Sequence, residues 1–192
     1  MISVLTFAKK HPVIFGVSTA TVKTLGMDIF VQTQIEGCDK LDWKRVGTFG
    51  LFGMIFNGAW QYFLFVKMMP RVVPNAFVFA AKPIKEKLVD VKGIKGLVLQ
   101  NFVENGINNP VIYFPTFYII QSFLAGENEI VKTGMNKYFK NFHEDIPAIW
   151  ALWIPAQFIN FGFSPAWFRV PFVAAVSSIW TGYVSMTRGR AN

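Results

Sequence analysis

The sequence predicts an all-α membrane protein: a polytopic helix bundle of four to five spans, with an additional amphipathic helix on the membrane surface. Hydrophobic residues make up 53% of the 192 residues, and the mean hydropathy is +0.37. Charged residues account for 16% of the chain, whereas soluble domains carry about 25%. Several long segments contain no charge at all, which is typical of membrane spans.

Four charge-poor regions predict four of the spans, because about 20 apolar residues in a helix cross a bilayer core. Val46–Val66 contains no charged residue and is the clearest. Lys95–Gly126 contains a single acidic residue and two internal prolines, which predict a long, kinked span. Residues 146–168 contain a further span that ends near Gly162, and the last span begins near Phe168.

The first apolar segment, Pro12–Ile35, leaves the span count at four or five because it contains Lys23 and Asp28. It either crosses the membrane or lies in the interface. Asp28 and Gln32 share one helical face. A carboxylate exposed to lipid at mid-depth costs about 2.5–3.5 kcal/mol, so we expect Asp28 to face other helices.

Two polar connections separate the predicted spans. Pro70–Lys95 is rich in basic residues, and Glu127–Asp145 mixes charged with apolar residues. In the second connection Ile130, Gly134 and Tyr138 fall near one helical face, which favours an amphipathic helix on the membrane surface. A solvated loop is the alternative. Since no repeat or linker divides the chain, we expect a single integral membrane domain over residues 1–192.

The basic charge of the chain has a simple explanation in this arrangement. The formal net charge is +8, from 19 Lys and Arg against 11 Asp and Glu. These residues flank the apolar segments, where basic residues set the orientation of membrane proteins. We therefore expect no nucleic-acid partner. The single cysteine, Cys38, excludes an internal disulfide.

No catalytic or metal-binding pattern is present in the sequence. His11 and His143 lie in separate polar connections, without Cys, Asp or Glu at metal-ligand spacing. Phosphate-binding loops, nucleophile elbows and dinucleotide fingerprints are also missing. We therefore predict no enzyme activity, no cofactor and no metal. Three glycines at three-residue spacing predict close helix packing: Gly47, Gly50 and Gly53.

The candidate functional residues are polar side chains inside the predicted spans, where they are expensive unless they pair or contact water. Two interpretations remain open. The residues line a polar pathway, or they form a closed interhelical network of about 1 kcal/mol per contact. In either case we predict that Arg169 pairs with Asp28 or Glu104. The full set is Asp28, Gln32, Glu104, Asn105, Gln157, Asn160 and Arg169.

The C-terminal half contains a specific pattern. It reads Trp153-Ile-Pro155-Ala-Gln157-Phe-Ile-Asn160-Phe161, then Pro165 and Arg169, then Trp180-Thr-Gly-Tyr183-Val-Ser185. This pattern closely resembles the signature of the Mpv-seventeen / peroxisomal membrane protein twenty-two family. Upstream segments resemble the family more faintly: Asp28 with Gln32, Asp39 with Arg45 and Gly50, and Glu104-Asn105 followed by Pro110. The second span diverges, with Asp42 at a family Arg position and Ile55-Phe56 at a family Gly-Pro.

The resemblance implies a small, all-helical integral protein of organelle membranes. It implies the mitochondrial inner membrane as the location, with the peroxisomal membrane as the alternative. Members are described as weakly selective channels or solute-permeation proteins. The alternative is a non-conducting accessory or structural subunit of a large mitochondrial respiratory or ATP synthase complex, which the divergent second span and the 21 Phe residues favour. The expected partners are the lipid bilayer and either other membrane subunits or further copies of the chain.

Overall fold

The computed structural model describes residues 11–164 and 166–189. In this part of the chain every regular element is helical, which confirms the predicted all-α class. The first helix, α1, spans Pro12–Phe30 and continues through a π-helical turn, Val31–Ile35. Helix α2 begins at Trp43–Phe52 and continues through the π-helical segments Gly53–Trp60 and Phe63–Met68 to Met69–Val72.

Two short helices, α3 (Ala76–Ala81) and α4 (Ile84–Val89), follow α2. Helix α5 comprises Val91–Asn101, a π-helical segment Phe102–Tyr113 and Phe114–Ala125. Helices α6 (Ile130–Phe163) and α7 (Ala166–Arg188) complete the described chain. Five long helical segments therefore occupy the regions predicted as spans. Val13–Ile35 and Ile130–Phe163 are long and apolar enough to cross a membrane.

Local chemistry explains where these helices begin and end. Asp42 caps α2, because its Oδ1 accepts hydrogen bonds from the backbone N–H groups of Lys44 (3.0 Å) and Arg45 (3.1 Å). Helix α5 ends at Gly126, which has a φ of 77°; this left-handed conformation favours glycine. Pro110 lies inside the π-helical part of α5. A proline removes one backbone donor from the helix, and wide turns of this kind often occur at functional sites.

The prediction of a separate surface helix over Glu127–Asp145 is wrong. Residues 130–145 belong to the continuous helix α6, and their apolar face packs against α5. A Cβ atom added at Gly134 would lie 2.9 Å from the Cα atom of Ile119. Tyr138 is buried and donates a hydrogen bond of 2.8 Å to the carbonyl oxygen of Pro110. The sequence indicated the apolar face correctly, but another helix covers it instead of the membrane surface.

Aromatic side chains form the core between α2 and α5. Phe52 packs edge-on against Tyr113, with ring centroids 4.9 Å apart, and Phe49 packs edge-on against Phe117 at 5.6 Å. Edge-to-face pairs of this kind stabilise by about 0.5–1.5 kcal/mol beyond their buried area. This core holds α2 against α5 on one side of the bundle.

Helix α1 packs against α2 through small residues. A Cβ atom added at Gly53 would lie 2.9 Å from Thr24 Cβ, and one added at Gly58 would lie 2.8 Å from Val17 Cα. Gly50 also faces α1, whereas Gly47 faces Leu124 of α5. The glycine spacing therefore permits close approach of the two helices.

Candidate functional site

Asp28 lies at the centre of a buried polar network where α1, α2 and α7 meet. Its side chain is fully buried. Asp28 Oδ1 accepts hydrogen bonds from Arg45 Nε (2.8 Å) and Ser185 Oγ (2.6 Å), and Oδ2 accepts one from Gln32 Nε2 (2.9 Å). Arg45 also donates from Nη1 to Glu36 Oε2 at 2.8 Å. We refer to Asp28, Gln32, Arg45, Ser185 and Glu36 as the Asp28 network.

The polar atoms of the Asp28 network satisfy one another. Arg45 Nη2 donates to both the carbonyl oxygen and Oγ of Ser185, at 2.9 and 2.7 Å. Gln32 Oε1 accepts a hydrogen bond of 2.7 Å from the backbone N–H of Asp42. A buried ion pair is tolerated when further hydrogen bonds satisfy both partners. The network therefore joins three helices and provides each oxygen of the Asp28 carboxylate with at least one hydrogen-bond donor.

The ion-pair partner of Asp28 in the structure is Arg45. The predicted partner, Arg169, lies in α7, and its side chain is outside the described residues. Arg45 stands one residue before the charge-free segment Val46–Val66, so a search confined to such segments omits it. The sequence feature that pointed to Arg45 was its position between Asp39 and Gly50 in a segment that resembles the family.

Glu104 occupies a different environment, at a small polar cavity between α2, α5, α6 and α7. Its side chain is 3% exposed, and Oε2 has no hydrogen-bond partner among the described residues. The cavity has a volume of about 10 Å³, which is enough for about one water molecule. Its lining residues are Asn57, Gln61, Glu104, Asn109, Tyr113, Ile149, Trp153, Ser177, Trp180 and Thr181.

Asn105 belongs to a ladder of amides along α5. Its Nδ2 donates to Asn101 Oδ1 at 2.8 Å, and its Oδ1 accepts from Asn109 Nδ2 at 3.0 Å. Trp150 of α6 donates from Nε1 to the carbonyl oxygen of Asn105 at 2.8 Å. The ladder reaches the cavity at Asn109, so it connects the wall of the cavity with the contact between α5 and α6.

Gln157 and Asn160 form a third group on α6. Both side chains are buried, and Asn160 Nδ2 donates to Gln157 Oε1 at 3.1 Å. The Oδ1 atom of Asn160 has no hydrogen-bond partner in the described part of the chain. The structure thus distributes the predicted candidate residues over the Asp28 network, the α5 face near the cavity and this α6 pair.

Lys23 is a basic residue that the sequence analysis treated only as an interruption of the first span. In the structure its Nζ donates to Ser177 Oγ of α7. Ser177 also lines the cavity beside Glu104. A cation of α1 therefore approaches one wall of the cavity, while a carboxyl group of α5 faces it from another wall. The sequence feature that pointed to this contact was the position of Lys23 inside the apolar segment Pro12–Ile35.

A second ion pair, between Asp145 and Arg188, was also missed. Arg188 Nε donates to Asp145 Oδ1 at 2.8 Å, and Tyr118 donates from its hydroxyl to Asp145 Oδ2 at 2.6 Å. Gln121 Nε2 donates to the carbonyl oxygen of Arg188 at 2.7 Å. These contacts tie α5, α6 and α7 together. Both charged residues stand at the edges of charge-free segments, where the sequence suggests only solvated ends.

The described residues contain no group of three or more His, Cys, Asp or Glu side chains that could hold a metal ion. Of the buried carboxylates, Asp28 and Asp145 pair with arginine, whereas Glu104 lines the small cavity. The chemistry within reach of this arrangement is therefore charge pairing, hydrogen bonding and the solvation of a small polar species at Glu104.

Comparison with known proteins identifies the relatives of this chain. Residues 122–185 match the model of the Mpv17 / PMP22 family. The resemblance to this family is confirmed. Peroxisomal membrane protein 2 of Bos taurus is 25% identical over 171 residues, which cover 88% of this chain and 77% of the relative. Mitochondrial inner membrane protein Mpv17 of Drosophila melanogaster is 24% identical over 179 residues, covering 89% and 92%. No solved structure matches the chain.

The similarity to Mpv17 and PMP22 proteins agrees with the predicted class of integral membrane protein. Asp28, Gln32, Arg45 and Ser185 come from separate parts of the family resemblance, and they converge in the Asp28 network. Trp180 of the C-terminal pattern donates from Nε1 to the hydroxyl of Tyr113 at 2.7 Å. The two relatives are named for the mitochondrial inner membrane and the peroxisome, which are the predicted location and its alternative.

Proposed function

We propose that this chain is a five-span protein of the mitochondrial inner membrane that allows small solutes to permeate, with weak selectivity, past Glu104. The peroxisomal membrane is the alternative location. The five long helices α1, α2, α5, α6 and α7 support the span count. Large apolar side chains exposed on them, such as Val22 on α1 and Ile179 on α7, support contact with lipid acyl chains. No part of this proposal requires an enzymatic reaction.

The observation that carries the proposal is the unpartnered Glu104 oxygen at a polar cavity inside the bundle. Ionisable groups are rare in membrane interiors, and they commonly mark the paths of ions and polar solutes. Amide groups of Asn57, Gln61 and Asn109 and the hydroxyl of Thr181 supply polar walls around the carboxyl group. Such a lining replaces part of the hydration shell that a solute loses in the membrane.

The cavity in this form of the protein holds about one water molecule, so we interpret it as a closed state. Permeation then requires α2, α5, α6 and α7 to separate around the cavity. Two contacts of Trp60 and Trp180 resist this separation: Trp60 Nε1 donates to Asn108 Oδ1 at 2.7 Å, and Trp180 bonds Tyr113. The remaining barrier is the packing of aromatic rings next to the cavity.

Planar-bilayer recording tests the proposal. Purified protein should conduct, and Glu104→Gln should alter the ion selectivity, because it replaces the ionisable carboxyl group at the cavity by an amide. The matched control is Glu129→Gln, which makes the same replacement at an exposed residue outside the bundle and should leave selectivity unchanged. A silent bilayer with verified folded protein, or an equal effect of the two substitutions, would refute conduction through this cavity.

A non-conducting accessory subunit is the second candidate function. The Asp28 network favours it, because a buried, charge-paired polar network of this kind makes contacts between helices more rigid. Extraction in a gentle detergent followed by native electrophoresis separates the two functions. A structural subunit migrates with a complex of megadalton size, whereas a permeation protein migrates alone or as a small oligomer.

A further inference from the structure

The connection between α2 and α5 combines exposed apolar residues with exposed cations. We call residues 70–95, which include α3 and α4, the basic segment. Leu88 and Val89 at the end of α4 are 72% and 79% exposed. Ile84, one helical turn before Leu88, and Val91 at the start of α5 are also exposed. Large apolar side chains exposed at several neighbouring positions indicate an interaction surface.

Some charges of the basic segment are used within the fold. Lys82 Nζ lies 2.7 Å from Asp90 Oδ2, and the same carboxylate caps α5 by accepting from the backbone N–H of Gly93 at 2.9 Å. Lys87 is buried. Its Nζ donates to the carbonyl oxygen of Ala80 at 2.9 Å and lies 4.6 Å from the centre of the Phe163 ring. These contacts hold α3 and α4 against the ends of α5 and α6.

Four other cations of the basic segment, Arg71, Lys85, Lys92 and Lys95, are exposed. None of them forms a salt bridge with any residue that the structure describes. Glu86 is the exposed carboxylate that faces this excess of positive charge within the segment. The surface therefore presents a net positive charge next to the apolar side chains of α4 and α5, at one end of the bundle.

We propose that the basic segment binds the headgroups of anionic phospholipids. In a membrane protein, exposed apolar side chains at the end of a helical bundle are covered by acyl chains, as in an interfacial amphipathic helix. Cations directly beside them then stand at the depth of the phosphate groups, where each contributes to binding of anionic lipid. The charge of the surface selects an anionic lipid over a zwitterionic one, and the apolar residues select a lipid over free phosphate.

This surface is independent of the cavity at Glu104, so the proposal holds whether or not the protein conducts. It differs from a role in membrane orientation alone, which needs the charges but makes no use of lipid headgroups. Purified protein in a neutral detergent separates the two roles, since its orientation is no longer a variable.

The test measures lipid binding by the purified chain. Delipidated protein is mixed with cardiolipin, with phosphatidylcholine or with inorganic phosphate, and bound lipid is counted by native mass spectrometry alongside the thermal midpoint. Cardiolipin should bind and raise the midpoint, while phosphatidylcholine and phosphate should not. The triple variant Lys85→Gln, Lys92→Gln, Lys95→Gln should bind cardiolipin at least about tenfold more weakly.

Two controls keep the result interpretable. The triple variant Lys40→Gln, Lys44→Gln, Lys140→Gln removes the same charge from exposed residues outside the basic segment, and it should bind cardiolipin as the unaltered chain does. Replacing the three lysines of the basic segment by arginine should preserve binding, which excludes a folding defect as the cause. Equal binding of cardiolipin and phosphatidylcholine, or equal losses in the two glutamine variants, would overturn the proposal. The proposal would also be overturned if an acidic membrane protein bound the basic segment and cardiolipin failed to displace it.

Discussion

Replacing Arg45 by methionine tests whether the Asp28 network stabilises the fold. The substitution keeps most of the apolar stem of the side chain and removes the guanidinium group. Asp28 then remains fully buried with two neutral donors, Ser185 Oγ at 2.6 Å and Gln32 Nε2 at 2.9 Å, and no counter-charge. Removing one partner of a buried ion pair typically costs 3–5 kcal/mol.

We expect a value near the lower end, about 3 kcal/mol, because those two donors continue to solvate the carboxylate. The double variant Asp28→Asn, Arg45→Met separates the charge effect from lost packing. Once residue 28 is neutral, the loss of the guanidinium affects only the ion pair with the partly exposed Glu36, and we expect Arg45→Met to cost about 1 kcal/mol in that background. The coupling energy between the two positions is then about 2 kcal/mol.

The assay is reversible unfolding in mixed detergent micelles, followed by tryptophan fluorescence. The matched control is Lys132→Met, which removes an exposed ion pair with Glu129 and should cost no more than about 0.5 kcal/mol. If Arg45→Met costs no more than this control, the buried pair does not stabilise the fold. A coupling energy near zero would show that the loss comes from packing and not from charge.

Two further predictions concern helix contacts outside the Asp28 network. Gly134→Ala should destabilise the fold by about 1–3 kcal/mol, because the new Cβ atom would lie 2.9 Å from the backbone of Ile119. Gly16→Ala is the matched control, because a Cβ atom at Gly16 meets nothing within 4 Å; it should stabilise the fold by about 0.5–1 kcal/mol. Thermal unfolding of both variants measures the two effects. Hydrogen bonds from Lys82 and from the backbone N–H of Gly93 lower the pKa of Asp90. The Asp90 carboxylate therefore stabilises the fold above the ordinary pKa of Asp, and this stabilisation is lost as the pH falls below that value. Asp90→Asn should accordingly lower the midpoint of thermal unfolding at neutral pH but not in acid.

The helical regions were predictable because apolar length and charge placement determine where a chain can cross a bilayer. The end of α6 at Phe163, just before Ser164-Pro165, follows from the bias of a proline against helix in the preceding residue. The continuity of α6 was not predictable in the same way. Periodicity identified the face that contains Gly134 and Tyr138, but an apolar face looks the same in sequence whether lipid headgroups or another helix cover it.

The candidate polar residues were predictable by type, but their partners were not. Asp28 and Gln32 are four residues apart, so their hydrogen bond is local and follows from helical spacing. The pairing with Arg45 and Ser185 depends on how α2 and α7 pack around α1, and a single sequence contains no record of that packing. The predicted pairing of Arg169 with Asp28 or Glu104 lies outside the described residues, while Arg45, which pairs with Asp28, stands just outside a predicted span.

The buried polar groups fall into two classes: those that form hydrogen bonds with one another and those that face a cavity. In the Asp28 network each carboxylate oxygen of Asp28 has a donor, so separation of α1, α2 and α7 would break these hydrogen bonds. At Glu104 a carboxyl oxygen faces a cavity without a donor from the described residues, so any water or ion that enters there is bound more favourably than at the closed network. The proposed opening for a solute therefore lies between α5 and its neighbours at Glu104, while the Asp28 network joins α1, α2 and α7. Substitutions at Glu104 should thus change conduction with little effect on stability, and substitutions at Arg45 should do the reverse.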